Sequence, residues 1–220
     1  MISLVLFGGN LEHRTNNQIE RKSGNLNFYH AFEIHKNEYQ VFPSIHINLE
    51  VEPDFLQEHH LSEGVVHRAV TNSVDSRFTF LKLLKEATID DAHSKISLEM
   101  SFLSFLEPSG TNLNANHPVW VTKIRDFLND KWNEPITLKE LSEYVNVHPV
   151  NISKYFARYF GCTLGAYMRK LKIKGSFSLL ESSNYSLTEI AHCCGFADQS
   201  HFTRVFKSIT GHLPKEVAKL

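Results

Sequence analysis

The chain has 220 residues, 42% of them hydrophobic, which excludes global disorder and allows one large domain or two small ones. Its net charge of −1 excludes a uniformly basic or acidic protein, but the balance is uneven: from Pro118 onward there are 14 Lys and Arg against 9 Asp and Glu, and before it 9 against 15. Cys162, Cys193 and Cys194 have neither zinc-knuckle nor CxxC spacing and read as small buried core residues. No run approaches the roughly 20 apolar residues of a membrane span. The opening MISLVLFGG is too short an apolar run, and lacks the basic start, of a signal peptide. A soluble, cytoplasmic protein is expected.

Residues 1–52 read as strands. ISLVLF is β-rich and ends at Gly8-Gly9, NLEHRT and QIERKS alternate around a turn candidate at Asn16-Asn17, and Gly24 opens NLNFYHAFEIH. In residues 44–52, Ile45, Ile47, Leu49 and Val51 share one face, and Pro53 ends the strand. From Asp54 the apolar period is helical. DFLQEHHL begins with an N-cap, FTFLKLLKEA (78–87) is a second helix, and residues 90–106 form a third with Ile96, Met100, Leu103 and Leu106 at helical spacing. The breaker-rich stretch PSGTNLNAN makes residues 108–117 a linker between domains at 1–107 and 118–220.

Helices then follow almost without interruption. The first spans 119–132. Thr137 caps the next, with Glu140 as its capping-box partner. Others are expected at 150–160, at 164–180, from Thr188, and at 199–210.

Two of these stretches are nearly alike. LSEYVNVHPVNISKYFARYFG (141–161) and IAHCCGFADQSHFTRVFKSITG (190–211) each read as a short helix, a tight turn, a second helix with an apolar stripe, and a closing glycine. That is a helix-turn-helix written twice. The helix crossing needs a small residue and the turn needs one that tolerates positive φ. Ala191 and Gly195 fill these roles in the second copy; Ser142 and Asn146, at the same spacing, fill them in the first. Val147 and Phe196 plug the core after each turn. Ile152 with Phe156, and Phe202 with Phe206, are the buried stripes.

The outward set is Val150, Asn151, Ser153, Lys154 and Arg158 in the first copy, and Gln199, His201, Thr203, Arg204 and Lys207 in the second. Asn, Gln, Arg and Lys hydrogen-bond base edges, and Ser or Thr reach bases or phosphates. A solvated helix face explains any one of these residues equally well. Two sets in register with two turns, in the basic half of the chain, favour duplex DNA.

Residues 137–214 resemble the DNA-binding domain of the AraC/XylS-type bacterial transcriptional regulators. The pattern I-A-x-x-x-G-F-x-D-x-S-x-F-x-R-x-F-K is intact over 190–207. The resemblance implies two helix-turn-helices joined by a rigid helix, here 164–180. Their recognition helices would enter successive major-groove segments about 34 Å apart. Asn151, Lys154, Gln199 and Arg204 are then the leading base readers. Ser142 and Asn146 stand where the family usually has Ala and Gly, and residues 214–218 lack its usual aromatic-Arg pair. Gly175 lies inside the linking helix, at a cost of roughly 1 kcal/mol relative to Ala. The basic run Arg169, Lys170, Lys172 and Lys174 suits either phosphate contact or plain solvation.

Nine of the 13 histidines precede Pro118. Gly24-x5-His30-x4-His35 resembles the second half of a cupin motif, with His46 in the next strand. Regulators of this type often carry a cupin-like N-terminal domain, so the resemblance implies a sensing and dimerisation role for residues 1–107. The His-x-His strand and carboxylate of a metal-binding cupin would lie before Gly8. A partial cupin lacking its first strands is therefore expected, with no metal and no cofactor. His30, His35 and His46 are candidate effector-pocket residues. The apolar helices of residues 78–106 serve either a dimer or their own barrel.

The expected fold is α+β: a partial cupin-like β-domain with accessory helices, then an all-α domain of two helix-turn-helices and a linking helix. The expected function is sequence-specific transcriptional regulation. The partners are double-stranded DNA, a small-molecule effector, RNA polymerase and a second copy of the chain, with no membrane. No catalytic residue is assigned, because no Ser/His/Asp or paired-carboxylate spacing is persuasive. Two rival readings are a metal-dependent cupin enzyme with a helical appendage, and a constitutive DNA-binding module whose N-terminal domain only dimerises.

Overall fold

A computed structural model describes residues 1–15, 17–72, 75–89, 93–106, 117–182 and 184–218. Asn16 of the turn candidate, residues 90–92 of the expected third helix and all of the expected linker but His117 lie outside the described residues. The chain divides into two compact units: Met1–Glu107 with Phe177–Ser183 and Phe206–Leu220, and Pro108–Ser176 with Asn184–Val205. It therefore passes between units more often than the single boundary of the sequence reading.

The first unit contains a four-stranded antiparallel sheet. Its strands are β1 (Ile2–Arg14), β2 (Asn17–Lys22), β3 (Leu26–Phe28) and β4 (His35–Leu49). β4 pairs along β1 from Ile2↔Leu49 to Arg14↔His35, while β2 and β3 pair with later and earlier parts of β1. Ile2, Leu4, Val5 and Leu6 are each at most 1% exposed, as expected of an apolar run covered on both faces. The strand does not end at Gly8-Gly9. Gly8 adopts φ +73, and a Cβ there would meet the Pro43 carbonyl at 2.7 Å. Register shifts between Val5 and Asn10 absorb the irregularity, so the glycines mark bulges rather than an end. β3 is much shorter than NLNFYHAFEIH suggested, and β4 starts before Ser44.

Glu12 and Arg21 are almost wholly buried inside this unit. Arg21 Nη1 donates to Glu12 Oε2 at 3.2 Å, Tyr29 OH donates to the same oxygen at 2.5 Å, and Arg14 Nε donates to Oε1. Burial alone would push the Glu12 carboxyl up. Hydrogen bonds from Tyr29 and Arg14, with both guanidinium charges, outweigh it and hold the carboxyl below its usual range. Burial and the bond to Glu12 push the Tyr29 phenol up.

Four helices follow the sheet: α1 (Pro53–Glu58), α2 (Glu63–Asn72), α3 (Ser76–Ala87) and α4 (Ser94–Leu106). α3 buries Phe78, Phe80, Leu81 and Leu83, and α2 buries Val66 and Val70. α4 buries Phe102 and Leu106 but leaves Ile96 and Met100 exposed, so its inward stripe differs from the one expected. α2 has no counterpart in the sequence reading. Its apolar positions are few and β-branched, a weak helix signal.

The remaining helices are α5 (Val119–Asp130), α6 (Leu138–Val145), α7 (Pro149–Phe160), α8 (Leu164–Glu181), α9 (Leu187–Cys193), α10 (Gln199–Thr210) and α11 (Pro214–Val217). The core of the second unit includes Val121, Ile124, Leu128, Leu141 and Ile152, all fully buried. Cys194 is also buried, which pushes its thiol up to about 12. Cys193 is exposed and Cys162 half-buried, so only one of the three cysteines is the core residue expected.

The last turns of α8 and α10 group with the sheet. Glu181 accepts from the Gly8 amide at 2.6 Å and from Ser23 Oγ. His212 Nε2 donates to the Leu81 carbonyl at 2.9 Å, and Lys85 Nζ donates to the Gly211 carbonyl at 2.6 Å. Among the described residues no helix is long and apolar enough to cross a membrane.

Candidate nucleic-acid interface

The first helix-turn-helix is α6 and α7. Thr137 Oγ1 accepts from the Glu140 amide at 3.2 Å and the Glu140 carboxylate accepts from the Thr137 amide at 2.7 Å, the expected capping box. The Thr137 hydroxyl, which also donates to the Glu140 carboxylate at 2.7 Å, and then the Thr137 amide hold that carboxyl below its usual range. α6 ends at Asn146 in the left-handed region, and the Val147 amide donates back to the Ser142 carbonyl at 3.2 Å. His148 then caps α7: its Nδ1 accepts from the Val150 amide at 3.3 Å, with Pro149 in the first turn. Ile152 and Phe156 face inward.

The second copy, α9 and α10, repeats this geometry. Its capping box is Ser186 with Glu189, so the helix begins at Leu187, slightly before the Thr188 expected. Gly195 takes φ +71, and the Phe196 amide donates to the Ala191 carbonyl at 2.9 Å. This bond is the counterpart of Val147 to Ser142. Asp198 Oδ1 caps α10 by accepting from the His201 amide at 2.7 Å. Phe202 and Phe206 are fully buried.

The copies differ for a steric reason. A Cβ on Gly195 would collide with the Asn133 carbonyl, so only glycine fits there. Asn146 is exposed, and its side chain has room. The plug also differs: Phe196 is buried and Val147 half-buried.

The structure places Val150, Asn151, Ser153, Lys154 and Arg158 on the exposed side of α7. On α10, Gln199, His201, Arg204 and Lys207 are exposed and Thr203 is half-buried. Among the described residues the ion pairs of these helices and their neighbours are Lys131–Glu134 and Lys139–Glu143, so no carboxylate holds any of the four recognition-helix cations. Lys154 Nζ and Arg158 Cζ lie 5.3 and 5.9 Å from the rings of Tyr155 and Tyr159. Thr188 Oγ1 donates to Gln199 Oε1 at 2.8 Å, which restrains the Gln199 amide at the start of α10. The His201 ring sits edge-on to Phe196, centroids 5.3 Å apart.

Sequence reasoning missed the supports of this surface. His148 and Thr188 have local signals, a cap before Pro149 and a hydroxyl one helix upstream. Lys172 and Asn133 have none. Lys172 Nζ donates to the Gly195 carbonyl at 2.7 Å, so it is neither a plain solvated cation nor a free phosphate ligand. Burial lowers its pKa.

In the first unit the three candidate histidines separate. His30 Nδ1 lies 2.8 Å from Glu63 Oε2, with its ring 5.3 Å from that of His67. His35 packs against Tyr29, centroids 4.4 Å apart. His46 bonds Ser44 at 2.9 Å, and its pKa is lowered by burial and then by the Arg21 charge. His35 and His46 thus border the Glu12–Arg21–Tyr29 network, and His30 is joined to it through Glu33, whose carboxylate accepts from the His30 amide at 3.0 Å and from Arg14 Nη1 at 2.8 Å. Among the described residues no three His, Cys, Asp or Glu side chains gather as a metal-ligand set.

The helix-turn-helix domain family matches residues 141–219. The chain is similar to the HTH-type transcriptional regulator GbdR of Pseudomonas aeruginosa, 31% identical over 104 residues that make up 47% of this chain and 28% of GbdR. It is 27% identical over 104 residues to the bifunctional transcriptional activator/DNA repair enzyme AdaA of Bacillus subtilis, covering 47% of this chain and 49% of AdaA. Against the HTH-type transcriptional activator RhaS of Salmonella heidelberg, identity is 26% over 157 residues, 69% of this chain and 56% of RhaS. The chain thus spans less than two thirds of the length of each of these relatives.

Proposed function

We propose that this chain, whose residues 141–219 are an AraC-type helix-turn-helix domain, is a cytoplasmic transcriptional regulator that reads two adjacent major-groove segments of duplex DNA. One observation carries the reading. Two helix-turn-helices share the same turn hydrogen bond, Val147 to Ser142 and Phe196 to Ala191, and each presents exposed cations and amides on its second helix. Arg204, Lys154, Asn151 and Gln199 read base edges, and Val150 meets a thymine methyl. Ser153, Arg158, His201, Thr203 and Lys207 hold the backbone. The chain acts by binding rather than catalysis; GbdR and RhaS carry regulator names, and the repair activity in AdaA's name belongs to AdaA.

The first unit supplies control in this reading, as a partial cupin-like module that responds to a small effector near His30, His35 and His46. The exposed Ile96 and Met100 of α4 support a homodimer contact, and RNA polymerase is the further partner of the DNA-bound form. Selection of binding sites from random duplexes tests the central claim. Two half-boxes about one helical turn apart are expected. No enrichment overturns it.

A further inference from the structure

Three contacts converge on the turn of the second helix-turn-helix. Lys172, from the middle of α8, donates to the Gly195 carbonyl at 2.7 Å and lies 5.7 Å from the Phe196 ring centroid. Asn133, in the connection after α5, donates its side-chain amide to the Cys193 carbonyl at 3.2 Å. The Asn133 carbonyl occupies the space a Cβ on Gly195 would need. Its neighbour Trp132 covers Gly175 on α8, where a Cβ would come within 2.5 Å of Cη2 and 2.6 Å of Cε3. The Trp132-Asn133 step, which leads into the first helix-turn-helix, therefore touches both the linking helix and the turn of the second.

Carbonyls at a helix C-terminus lack intrahelical partners and carry partial negative charge, so a cation is well placed there. Here the cation comes from a different helix. Chain connectivity joins the two helix-turn-helices through α8. Lys172, 23 residues from Gly195 in sequence, adds a side-chain attachment from α8 to the turn of the second, beside that of Asn133.

We propose that Lys172, backed by Trp132-Asn133, is the positioning residue that fixes the second recognition helix relative to the first and so sets the half-box spacing this protein accepts. The inference rests on the DNA-reading function above. One base pair of extra spacing displaces a half-box by about 3.4 Å and rotates it by about 35° around the duplex. A braced pair of readers cannot follow that change, and an unbraced pair can.

The test uses the full chain as wild type, Lys172→Met and Lys172→Arg. The duplexes carry both selected half-boxes at the selected spacing, at one base pair more, and at one less, together with a single half-box. Wild type should lose about tenfold or more in affinity on the altered spacings. Lys172→Met should bind the single half-box as wild type does while its spacing discrimination falls to about threefold or less. Lys172→Arg, which keeps a cationic donor, should restore discrimination.

A phosphate-contacting lysine would lower the salt slope by roughly one on removal; Lys172→Met should leave it unchanged. Unaltered discrimination, a lowered salt slope, or loss of single half-box binding in folded Lys172→Met would each overturn the proposal. If Lys172→Met does not fold, Asn133→Ala removes the amide bond to Cys193 from the same brace and must relax spacing in the same direction. Absence of any half-box preference in wild type would instead refute the DNA-reading function.

Discussion

Gly175→Ala tests how closely the linking helix is built around its neighbour. Helix propensity alone says the change stabilises, since glycine in a helix interior is about 1 kcal/mol worse than alanine. The structure reverses the sign. The new Cβ would stand 2.5 and 2.6 Å from two carbons of the Trp132 indole, where carbon atoms normally rest about 3.5–4.0 Å apart. The indole is one rigid plane, so it must move as a whole. Trp132 is half-buried and has some solvent-side room, which limits the damage. Overpacking of this kind costs about 1–3 kcal/mol. Set against the propensity gain, that leaves a net loss of about 0–2 kcal/mol.

Urea unfolding of the full chain in a Trp120→Phe background, where Trp132 is the sole tryptophan, should show a lower midpoint and an altered native tryptophan emission. In a Trp132→Ala background the same glycine change should recover the propensity gain, a coupling that a double-mutant cycle reads directly. A midpoint raised by the equivalent of about 1 kcal/mol with Trp132 present would refute the reasoning, because the indole could not then be seated on Gly175.

Glu12→Gln should destabilise the sheet unit by about 3–5 kcal/mol in calorimetry or urea melts, because it leaves the Arg21 guanidinium buried without its anion; a loss below about 1 kcal/mol would contradict the assigned network. Acid should weaken the same unit in two stages. His46 and Glu12 both have folded pKa values below their ordinary 6.5 and 4.5, so on acidification the unfolded chain takes up protons first and stability rises with pH. The His46 contribution is complete above pH 6.5 and is lost as pH falls through its lowered folded pKa; the Glu12 contribution is complete above pH 4.5 and is lost below it in the same way. Stability that is flat between pH 7 and pH 5 would remove the His46 stage. Arg204→Ala should relax base preference at one position at a cost of about 1–3 kcal/mol, whereas Lys207→Ala should weaken all sequences alike and lower the salt slope by about one. Quantitative binding to a panel of single-base operator variants separates the two, and equal effects on every variant would deny Arg204 its reading role.

Much of the C-terminal half was legible because its determinants are local. The Thr137–Glu140 capping box, the left-handed Asn146 and Gly195, and the inward Ile152, Phe156, Phe202 and Phe206 all follow from residues a few positions apart. A helix repeats its neighbours every three or four residues, so its cap, face and stop are written within one short window. The outward faces of α7 and α10 were predictable as the complement of those stripes.

The N-terminal half was less legible for the converse reason. Gly8-Gly9 looked like a strand end and is a bulge, because continued pairing with β4 lies more than twenty residues away in sequence. Glu12 and Arg21 look like surface charges until the sheet buries them against each other and Tyr29. Gly175 looked like a weak point of the linking helix and is a seat for Trp132. Lys172 looked like one of a run of solvated cations and holds the turn of another helix. By itself the sequence determined the helix-turn-helix pair and the side chains it turns outward, since periodicity and capping act between near neighbours. Only the tertiary structure decided what braces that pair and which charges are buried, since those contacts join residues that no local pattern relates.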